Sequence, residues 1–216
     1  VFERIPRMAY LLLLGVPVAF ALAVSALATL LFLDLPSIVL VQQISAGSGA
    51  VSLIAIPLFI FAGELMLRGG ISERLIGFAS ALVGRVRGGL GQVSVLSSLF
   101  FGGVSGSALA DVSAVGGTMI PQMIKRGYDR DYAVNVCMTA ALVALLVPPS
   151  HNLILFSAAA GGGISITDLF AAGIMPALLM TVAMMIIGSA VARHRGYGTE
   201  PFPGWQAVFL RFIGAL

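Results

Sequence analysis

The segment GGVSGSALAD, residues 102–111, carries three glycines, two serines and an aspartate inside a strongly apolar part of the chain. A second polar segment, VPPSHN at residues 147–152, interrupts another apolar run. Hydroxyls and the free carbonyls of unwound backbone are ligands of hard cations, and helix N-termini attract anions. If the two segments meet, they predict a site for a cation such as Na⁺ beside an anion.

Polar residues of the first segment have several possible roles. Ser107 is expected to begin a helix whose N-terminal amides point at the preceding turn, where the helix dipole favours a carboxylate. The hydroxyls of Ser105 and Ser107 are available to the ion or to the anion. Asp111, in the first turn of that helix, either stabilises the helix dipole or coordinates or supports the ion.

The double proline of the second segment must break a helix, because proline lacks the backbone donor and clashes with the preceding turn. Ser150 and Asn152 either satisfy the backbone groups that this break frees or bind a ligand. His151 is either a hydrogen-bonded neighbour or a group that couples proton movement.

The composition is typical of an integral membrane protein. Of 216 residues, 59% are hydrophobic and 10% are charged, and the mean hydropathy is +1.05, whereas soluble domains are roughly half apolar and about a quarter charged. The net charge of +3 comes from short clusters between apolar runs, which favours orientation-setting loops over nucleic-acid binding. Cys137, the single cysteine, is predicted to be a packing residue.

Two apolar runs near the N-terminus predict membrane crossings. Residues 9–33 and residues 51–67 are each long enough for a spanning helix. Between them, residues 37–44 predict a short interfacial helix, and the Gly/Ser-rich residues 45–49 predict a connection.

An amphipathic segment follows the second crossing. Residues 68–87 carry four arginines, with apolar residues at helical spacing, and predict an arm lying in the membrane surface. Glu64 is expected to pair with a basic residue such as Arg68.

Basic residues decide between two arrangements of the next segment. A hydropathy window favours one crossing over residues 88–110, which are uncharged. That crossing would put the arginines of residues 68–87 and the basic residues of 125–130 on opposite sides, although cytoplasmic loops collect Lys and Arg. We therefore expect residues 90–124 to form a re-entrant hairpin of two half-length helices that meet near GVSGS.

The next uncharged run, residues 132–167, is too long for one straight crossing. It predicts a discontinuous helix whose halves, residues 132–146 and 151–160, flank an unwound VPPSHN. Residues 169–192 predict the last crossing. All basic regions then face one compartment, with a cytoplasmic N-terminus.

Six blocks of the sequence, in this order, resemble the large membrane subunit of tripartite ATP-independent periplasmic (TRAP) transporters. They are GVPVAFAL (15–22), IPLFIFAGELMLRGGI (56–71), FFGGVSGSALAD (100–111), MIPQMIKRGY (119–128), VPPSHN (147–152) and FAAGIMPALLM (170–180). The resemblance covers residues 9–205.

This resemblance implies an all-α membrane protein with spanning helices, an interfacial arm, a re-entrant hairpin and a broken helix, the first of two inverted repeats of an elevator-type fold. It implies Na⁺-driven import of organic acids, such as C4-dicarboxylates or sialic acids, across the bacterial inner membrane. The implied partners are a small membrane subunit and a periplasmic substrate-binding protein. Na⁺ is the coupling ion, and no cofactor is implied.

Site residues follow by matching the resembling blocks. Those implied for Na⁺, mostly through backbone carbonyls, are Gly103, Val104, Ser105, Val147, Pro148 and Ser150. Those implied for the organic anion are Ser105, Gly106, Ser107, Ser150 and Asn152. Asp111 and His151 are implied as coupling or supporting groups.

The expected organisation has six parts. They are two scaffold-type spans in 1–67, the arm at 68–87, the re-entrant hairpin at 88–126, the broken transport helix at 131–163, a spanning helix at 168–193, and a cytoplasmic linker with the start of a second repeat at 194–216. A second hairpin and a second break are absent from this sequence. We expect a piece of a longer chain that holds half a site and transports nothing alone.

Two other functions fit part of the sequence. GVSG with a downstream histidine is similar to intramembrane serine proteases of the rhomboid type, in which Ser105 would attack and His151 would act as base. A stand-alone Na⁺- or H⁺-coupled carboxylate carrier of the same superfamily would need no binding protein.

Overall fold

The computed structural model describes residues 4–34, 36, 38–48, 51–160, 163–199 and 204–215. Over these ranges the chain forms helices and turns and no strand, which confirms the all-α prediction. The chain divides into two compact units, Val1–Val51 and Ser52–Leu216.

The first unit contains three helices where one spanning helix and a short interfacial helix were expected. They are α1 (Arg4–Leu13), α2 (Val18–Phe32) and α3 (Ile38–Ser48). The single helix predicted over residues 9–33 is wrong, because Gly15 has a φ of +77° and Pro17 precedes α2. Residues 45–48 were predicted as part of a non-helical connection, but they belong to α3, which ends at Ser48. Residue 49 of the predicted connection lies outside the described residues.

The second unit begins with the two helices predicted as a span and an arm. Helix α4 (Val51–Arg68) and helix α5 (Ile71–Val83) meet at Gly70, which has a φ of +77°, and the axes bend by 71°. The predicted ion pair is confirmed, with 3.2 Å between Arg68 Nε and Glu64 Oε1. The arm helix is shorter than the predicted segment, because residues 84–88 form turns.

Residues 89–125 fold as a helix, a turn and a returning helix. The elements are α6 (Gly89–Ser105), α7 (Ala108–Asp111), a π-helical turn (Val112–Gly116) and α8 (Gly117–Lys125). The returning elements pack along α6, so a single helix over residues 88–110 is wrong. The depth of this hairpin in the bilayer stays a prediction.

The discontinuous helix consists of α9 (Arg130–Ala140), a 3₁₀ turn (Val143–Leu145) and α10 (His151–Ala159). The break is longer on its N-terminal side than predicted, since regular α-helix ends at Ala140. His151 and Asn152 were expected to be unwound, but both lie in α10. Ser150 is the extended residue that precedes α10, so the helix restarts as soon as the prolines have passed.

The last helices are α11 (Ile166–His194) and α12 (Trp205–Ala215). Among the described residues, α11 is the one unbroken helix that is long and apolar enough to cross a membrane, and the bent α4–α5 pair passes the same test only when counted together. Helix α12 packs on α5 through two hydrogen bonds: Arg74 Nη1 donates to Gly214 O at 3.2 Å, and Arg211 Nη1 donates to Gly77 O at 2.9 Å.

Asp129 joins the start of α9 to the end of α11. Its Oδ2 accepts hydrogen bonds from Tyr197 Oη at 2.8 Å and from Arg195 Nη1 at 2.7 Å. These bonds hold the pKa of the Asp129 carboxyl below its ordinary value, the tyrosine hydroxyl contributing most and the guanidinium next. The loop after the hairpin is thereby tied to the C-terminus of α11.

The Asp129→Asn substitution should lower the melting temperature of the full-length protein slightly at neutral pH, since the pair is exposed. A carboxyl whose pKa is lower in the folded state stabilises the fold at pH values above the ordinary aspartate pKa of about 3.9. This stabilisation is lost as the pH falls through the pKa of the folded state. The difference between wild type and variant should therefore shrink between pH 5 and pH 3. Tyr197→Phe should show the same trend, and a difference independent of pH would contradict this account.

Gly173 lets α11 approach the break between α9 and α10. A Cβ at this buried position would lie 2.5 Å from Leu146 O and 3.3 Å from Leu153 Cδ1. Because the first of these neighbours is backbone, it cannot move aside as a side chain can. Gly173 thus sets the distance between α11 and the break of the discontinuous helix.

Gly173→Ala should destabilise the protein by about 1–3 kcal/mol, the usual cost of overpacking, measured by thermal unfolding of the full-length protein in detergent. Gly117→Ala is the matched control, because a Cβ there meets nothing within 4 Å. The control should be neutral or stabilising by up to about 1 kcal/mol, since alanine favours a helix. Equal shifts in the two variants would show that the Leu146 contact is unimportant.

Candidate functional site

The turn of the hairpin lies directly on the break of the discontinuous helix. A Cβ at Gly106, whose φ is +57°, would overlap Pro149 O and come within 3.1 Å of Ser150 Cα. A Cβ at Gly103 would lie 3.5 Å from Val147 Cγ1 and 3.7 Å from Pro148 O. The structure therefore brings together the two segments that the sequence singled out.

Two further glycines lie at this contact, and Gly102 is the one whose small size the approach requires. A Cβ at Gly102 would lie 2.6 Å from Ala144 Cα, so the last turns of α6 pack against the backbone before the prolines. Gly63 of α4 faces the same turn, and a Cβ there would be 3.5 Å from Ser105 Cα. Sequence reasoning missed Gly63 and Ala144, although small residues inside runs of large apolar side chains are a signal of close helix packing.

The contacting segments expose backbone acceptors. Within the described residues, no backbone hydrogen bond is donated to the carbonyls of Gly103, Val104 and Ser105, or to those of Val147, Pro148 and Pro149. Helix ends normally leave such carbonyls free, and prolines remove donors that would have reached others. Two sets of free oxygens on segments in contact can coordinate a hard cation.

The serines of the turn organise its backbone. Ser107 precedes α7, and its Oγ accepts a hydrogen bond from Ala110 N at 3.4 Å, so the returning half begins where the sequence predicted. The buried Ser105 Oγ accepts a bond from Ser107 N at 3.4 Å. Both oxygens keep a lone pair, because a hydroxyl oxygen has two.

The residues after the prolines have different environments. Ser150 is fully buried, and its Oγ donates to Leu145 O at 2.5 Å. This bond replaces the one that Pro149 cannot donate to the same carbonyl. His151 is partly buried and its Nε2 has no partner among the described residues, whereas Asn152 is exposed. Ser150 thus satisfies a freed backbone group, and Asn152 lies outside the contact between turn and break.

Asp111 joins the two halves of the hairpin. Its side chain is 0% exposed, and its Oδ2 accepts a hydrogen bond from Ser98 Oγ of α6 at 2.6 Å. The other oxygen, Oδ1, has no partner among the described residues. A π-helical turn follows directly at Val112–Gly116. The geometry supports a positioning role, because the carboxylate fixes the returning half against the first half.

The donor set favours a particular class of ion. The described residues contain no group of three or more His, Cys, Asp or Glu side chains that could hold a metal ion. The oxygens at the turn and the break are hydroxyls and backbone carbonyls, which suit hard cations better than transition metals. The oxygens of both segments are of the chemical class that Na⁺ accepts, and Na⁺ binding stays a prediction.

Comparison with known proteins decides the family. The family model described as "Tripartite ATP-independent periplasmic transporter, DctM component" matches residues 6–209. The chain belongs to this family. Membership in the DctM family confirms the resemblance on which the sequence prediction rested, and it makes the chain part of a membrane transporter permease.

Curated relatives agree with the DctM assignment. A putative TRAP transporter large permease protein of Haemophilus influenzae is 44% identical over 82% of this chain and 41% of its own length. The C4-dicarboxylate TRAP transporter large permease protein of Vibrio cholerae is 36% identical over 91% of this chain and 43% of its own. The ectoine TRAP transporter large permease protein of Halomonas elongata is 38% identical over 92% of this chain and 47% of its own length. The chain thus spans less than half the length of these relatives.

Ser98→Ala should destabilise the hairpin by about 1–3 kcal/mol, because it leaves a buried carboxylate without its hydrogen-bond donor. The matched control is Ser113→Ala, which removes an exposed hydroxyl bonded to Leu109 O of its own helix. Thermal unfolding of the full-length protein should separate the two variants by several degrees. If the two melting temperatures fall equally, the bond between Ser98 and Asp111 does not hold the hairpin together.

Proposed function

We propose that this chain forms the first half of the large permease subunit of a Na⁺-driven TRAP transporter, and that its hairpin turn and helix break form one wall of the ion and substrate site. One observation carries the proposal: the turn at Gly106 touches the break at Pro149 and Ser150. Unwound backbone at membrane depth is tolerated where it lines a cavity or is buried in protein. An elevator mechanism would move this wall with the substrate.

The proposed Na⁺ ligands come from both segments. Carbonyls of Gly103, Val104, Val147 and Pro148 carry no backbone hydrogen bond within the described residues, and the hydroxyls of Ser105 and Ser150 lie in the same segments. Carbonyl and hydroxyl oxygens of this kind are the ligands that hard cations accept. Binding of Na⁺ would then stabilise the contact between turn and break.

The proposed substrate is an organic acid. Gly106, Ser105, Ser107 and Ser150 are the residues of this half proposed to line the carboxylate site, next to the bound cation. The amide of Gly106 donates to Gly102 O and the hydroxyl of Ser150 to Leu145 O, so the hydroxyls of Ser105 and Ser107 are the donors that would reach the carboxylate. Asn152 would contact substrate only if the missing half brings it there, since α10 exposes it. The names of the relatives cover a C4-dicarboxylate and ectoine, so the substrate class is proposed no more finely than organic acids such as C4-dicarboxylates or sialic acids.

The proposed assembly has three components. A large permease subunit in the bacterial inner membrane would bind a small membrane subunit and receive substrate from a periplasmic binding protein. The family description, tripartite and periplasmic, supports these partners. A cytoplasmic N-terminus is supported by the basic residues in the first turns of α1 and at the C-terminal ends of α8 and α11.

Neither alternative function gains support. A serine protease needs a hydrogen bond from the nucleophile to its base, but Ser105 Oγ is bonded to Ser107 N and His151 Nε2 has no partner among the described residues. A stand-alone carrier needs no partner, whereas the family that includes this chain is described as tripartite. We therefore propose no enzymatic activity.

The test is uptake of radiolabelled C4-dicarboxylate and sialic acid by liposomes that contain the full-length permease with its small subunit and binding protein. A Na⁺ gradient at fixed pH should drive accumulation of one organic acid, and a proton gradient without Na⁺ should not. Gly106→Ala should abolish uptake, because its Cβ would collide with Pro149 O. Gly127→Ala should keep uptake, since Gly127 has a φ of +82° but open space around it.

Liposomes that contain only residues 1–216 should show no uptake, because half of the site is missing. Uptake by the Gly106→Ala variant at the rate of Gly127→Ala would show that the contact is dispensable. Accumulation driven by the proton gradient alone would show that the coupling ion is H⁺ and not Na⁺. That result would not contradict the proposed position of the substrate site.

A further inference from the structure

Helix α11 is hydrogen-bonded to both of the helices whose far ends lead to the turn and the break. Gln92, in the first turn of α6, donates through Nε2 to Met185 O at 3.1 Å. Tyr132, in the first turn of α9, donates through Oη to Gly188 O at 3.2 Å. The two carbonyls lie within one turn of α11. The starts of α6 and α9 are therefore fixed to the same short stretch of a third helix.

Glycines make room for the two donor groups. A Cβ at Gly91 would lie 2.7 Å from Tyr132 Oη, so a larger residue there would displace the hydroxyl. A Cβ at Gly188 would lie 3.1 Å from Gln92 Nε2 and 3.8 Å from Tyr132 Oη. Gln92 is 0% exposed and Tyr132 is 6% exposed, so water has little access to either bond. Gln92, Tyr132, Met185 and Gly188 thus form a buried contact of three helices, which we name the base junction.

The other end of α11 contacts the break. Gly173 lies against Leu146 O, where a Cβ would come within 2.5 Å. At a rise of about 1.5 Å per residue, the distance along α11 from Gly173 to Gly188 is about 22 Å. Helix α11 therefore connects the base junction to the break.

Small changes of angle at the base junction become displacements at the hairpin turn. The axis of α6 from Gln92 to Ser105 is about 20 Å long, so a tilt of about 3° at Gln92 moves Ser105 by about 1 Å. Oxygens that coordinate a cation lie within a narrow range of distances, about 0.3 Å wide for Ca²⁺. A site built from two separate segments therefore depends on the angle between the helices that carry them.

We propose that Gln92 and Tyr132 are positioning residues for the cation site, although they lie at the opposite ends of α6 and α9 from it. Their bonds to α11 set the angle between α6 and α9, and this angle keeps the carbonyls of the turn and of the break within reach of one cation. Loss of either bond should weaken Na⁺ binding while the fold persists. The Na⁺ part rests on the proposed function, whereas the position of the hairpin relative to α9 does not.

The first test measures that position with a disulfide and needs no Na⁺. A Cβ at Gly116 would lie 3.7 Å from the Cβ of Cys137 in α9, within the range of about 3.5–4.5 Å that disulfides require. Gly116→Cys should therefore form a disulfide with Cys137 on mild oxidation of the full-length permease, with any further cysteines replaced by serine. Gly117→Cys is the matched control and should form none, because a Cβ there meets nothing within 4 Å.

In the Gly116→Cys background, Tyr132→Phe and Gln92→Met should each slow disulfide formation about three- to tenfold, the change expected from one lost hydrogen bond. The first substitution removes only the hydroxyl, and the second keeps the length of the side chain. Thr181→Val is the matched control, because it removes a buried hydroxyl of α11 that is bonded within its own helix, to Ala177 O at 2.7 Å. The control should keep the parental rate.

The second test measures Na⁺ binding as the rise in melting temperature of the full-length permease with Na⁺ concentration. Tyr132→Phe and Gln92→Met should each need about three- to tenfold more Na⁺ for the same rise. Without Na⁺, Gln92→Met should melt close to wild type, since it also removes Oε1, a buried atom with no partner among the described residues. A purely structural role would lower the melting temperature and leave the Na⁺ requirement unchanged.

Parental disulfide rates in both variants, or an unchanged Na⁺ requirement, would overturn the proposal. Failure of Gly116→Cys to form a disulfide would contradict the packing of the hairpin on α9 and the proposal with it. If Na⁺ does not stabilise the wild type, the proposed function is contradicted, and slower disulfide formation in the two variants would still support their role in positioning the hairpin relative to α9.

Discussion

The main constraint on this structure is that backbone carbonyls at the hairpin turn and at the helix break have no hydrogen-bond donor among the described backbone groups. In an apolar environment each such group costs free energy unless a partner is found, and most chains avoid the cost by keeping their helices intact. Here α6 ends at Ser105, and the discontinuous helix ends its first half at Ala140 and is interrupted until His151. The two interruptions are in contact with each other. Two neighbouring helices pack against these interruptions, α4 through Gly63 at Ser105 and α11 through Gly173 at Leu146.

Small residues determine how closely the ends approach. Gly102 and Gly106 of the hairpin lie against Ala144 and Pro149 with no space for a Cβ. Gly173 brings α11 equally close to the same break. Polar bonds add orientation to this packing: Ser98 fixes Asp111 within the hairpin. Glycines that weaken isolated helices therefore permit a contact that larger residues would prevent.

The sequence predicted some of the helix ends, where proline, glycine and charge act locally. The double proline located one break, and the distribution of arginines excluded a single helix over residues 88–110. The interruption at Gly15 was missed, since a single glycine near a proline inside a long apolar run looks the same as a tolerated one. The ending of α9 at Ala140 was also missed, because the unwinding propagates back from the prolines through residues that favour a helix. A small residue such as Gly63 signals that a helix packs closely against something, but the sequence does not say that its neighbour is Ser105, because the two lie on segments far apart in the chain.

The bond from Ser150 Oγ to Leu145 O has a consequence for movement. An amide donor belongs to the backbone and can leave its acceptor only if the helix unwinds. A hydroxyl turns about one side-chain torsion, on a timescale far shorter than that of helix unwinding. The hydroxyl of Ser150 can therefore leave Leu145 O and turn to a ligand while α10 keeps its helical structure. The backbone at the break then keeps its shape, and the carbonyl of Leu145 becomes a free acceptor.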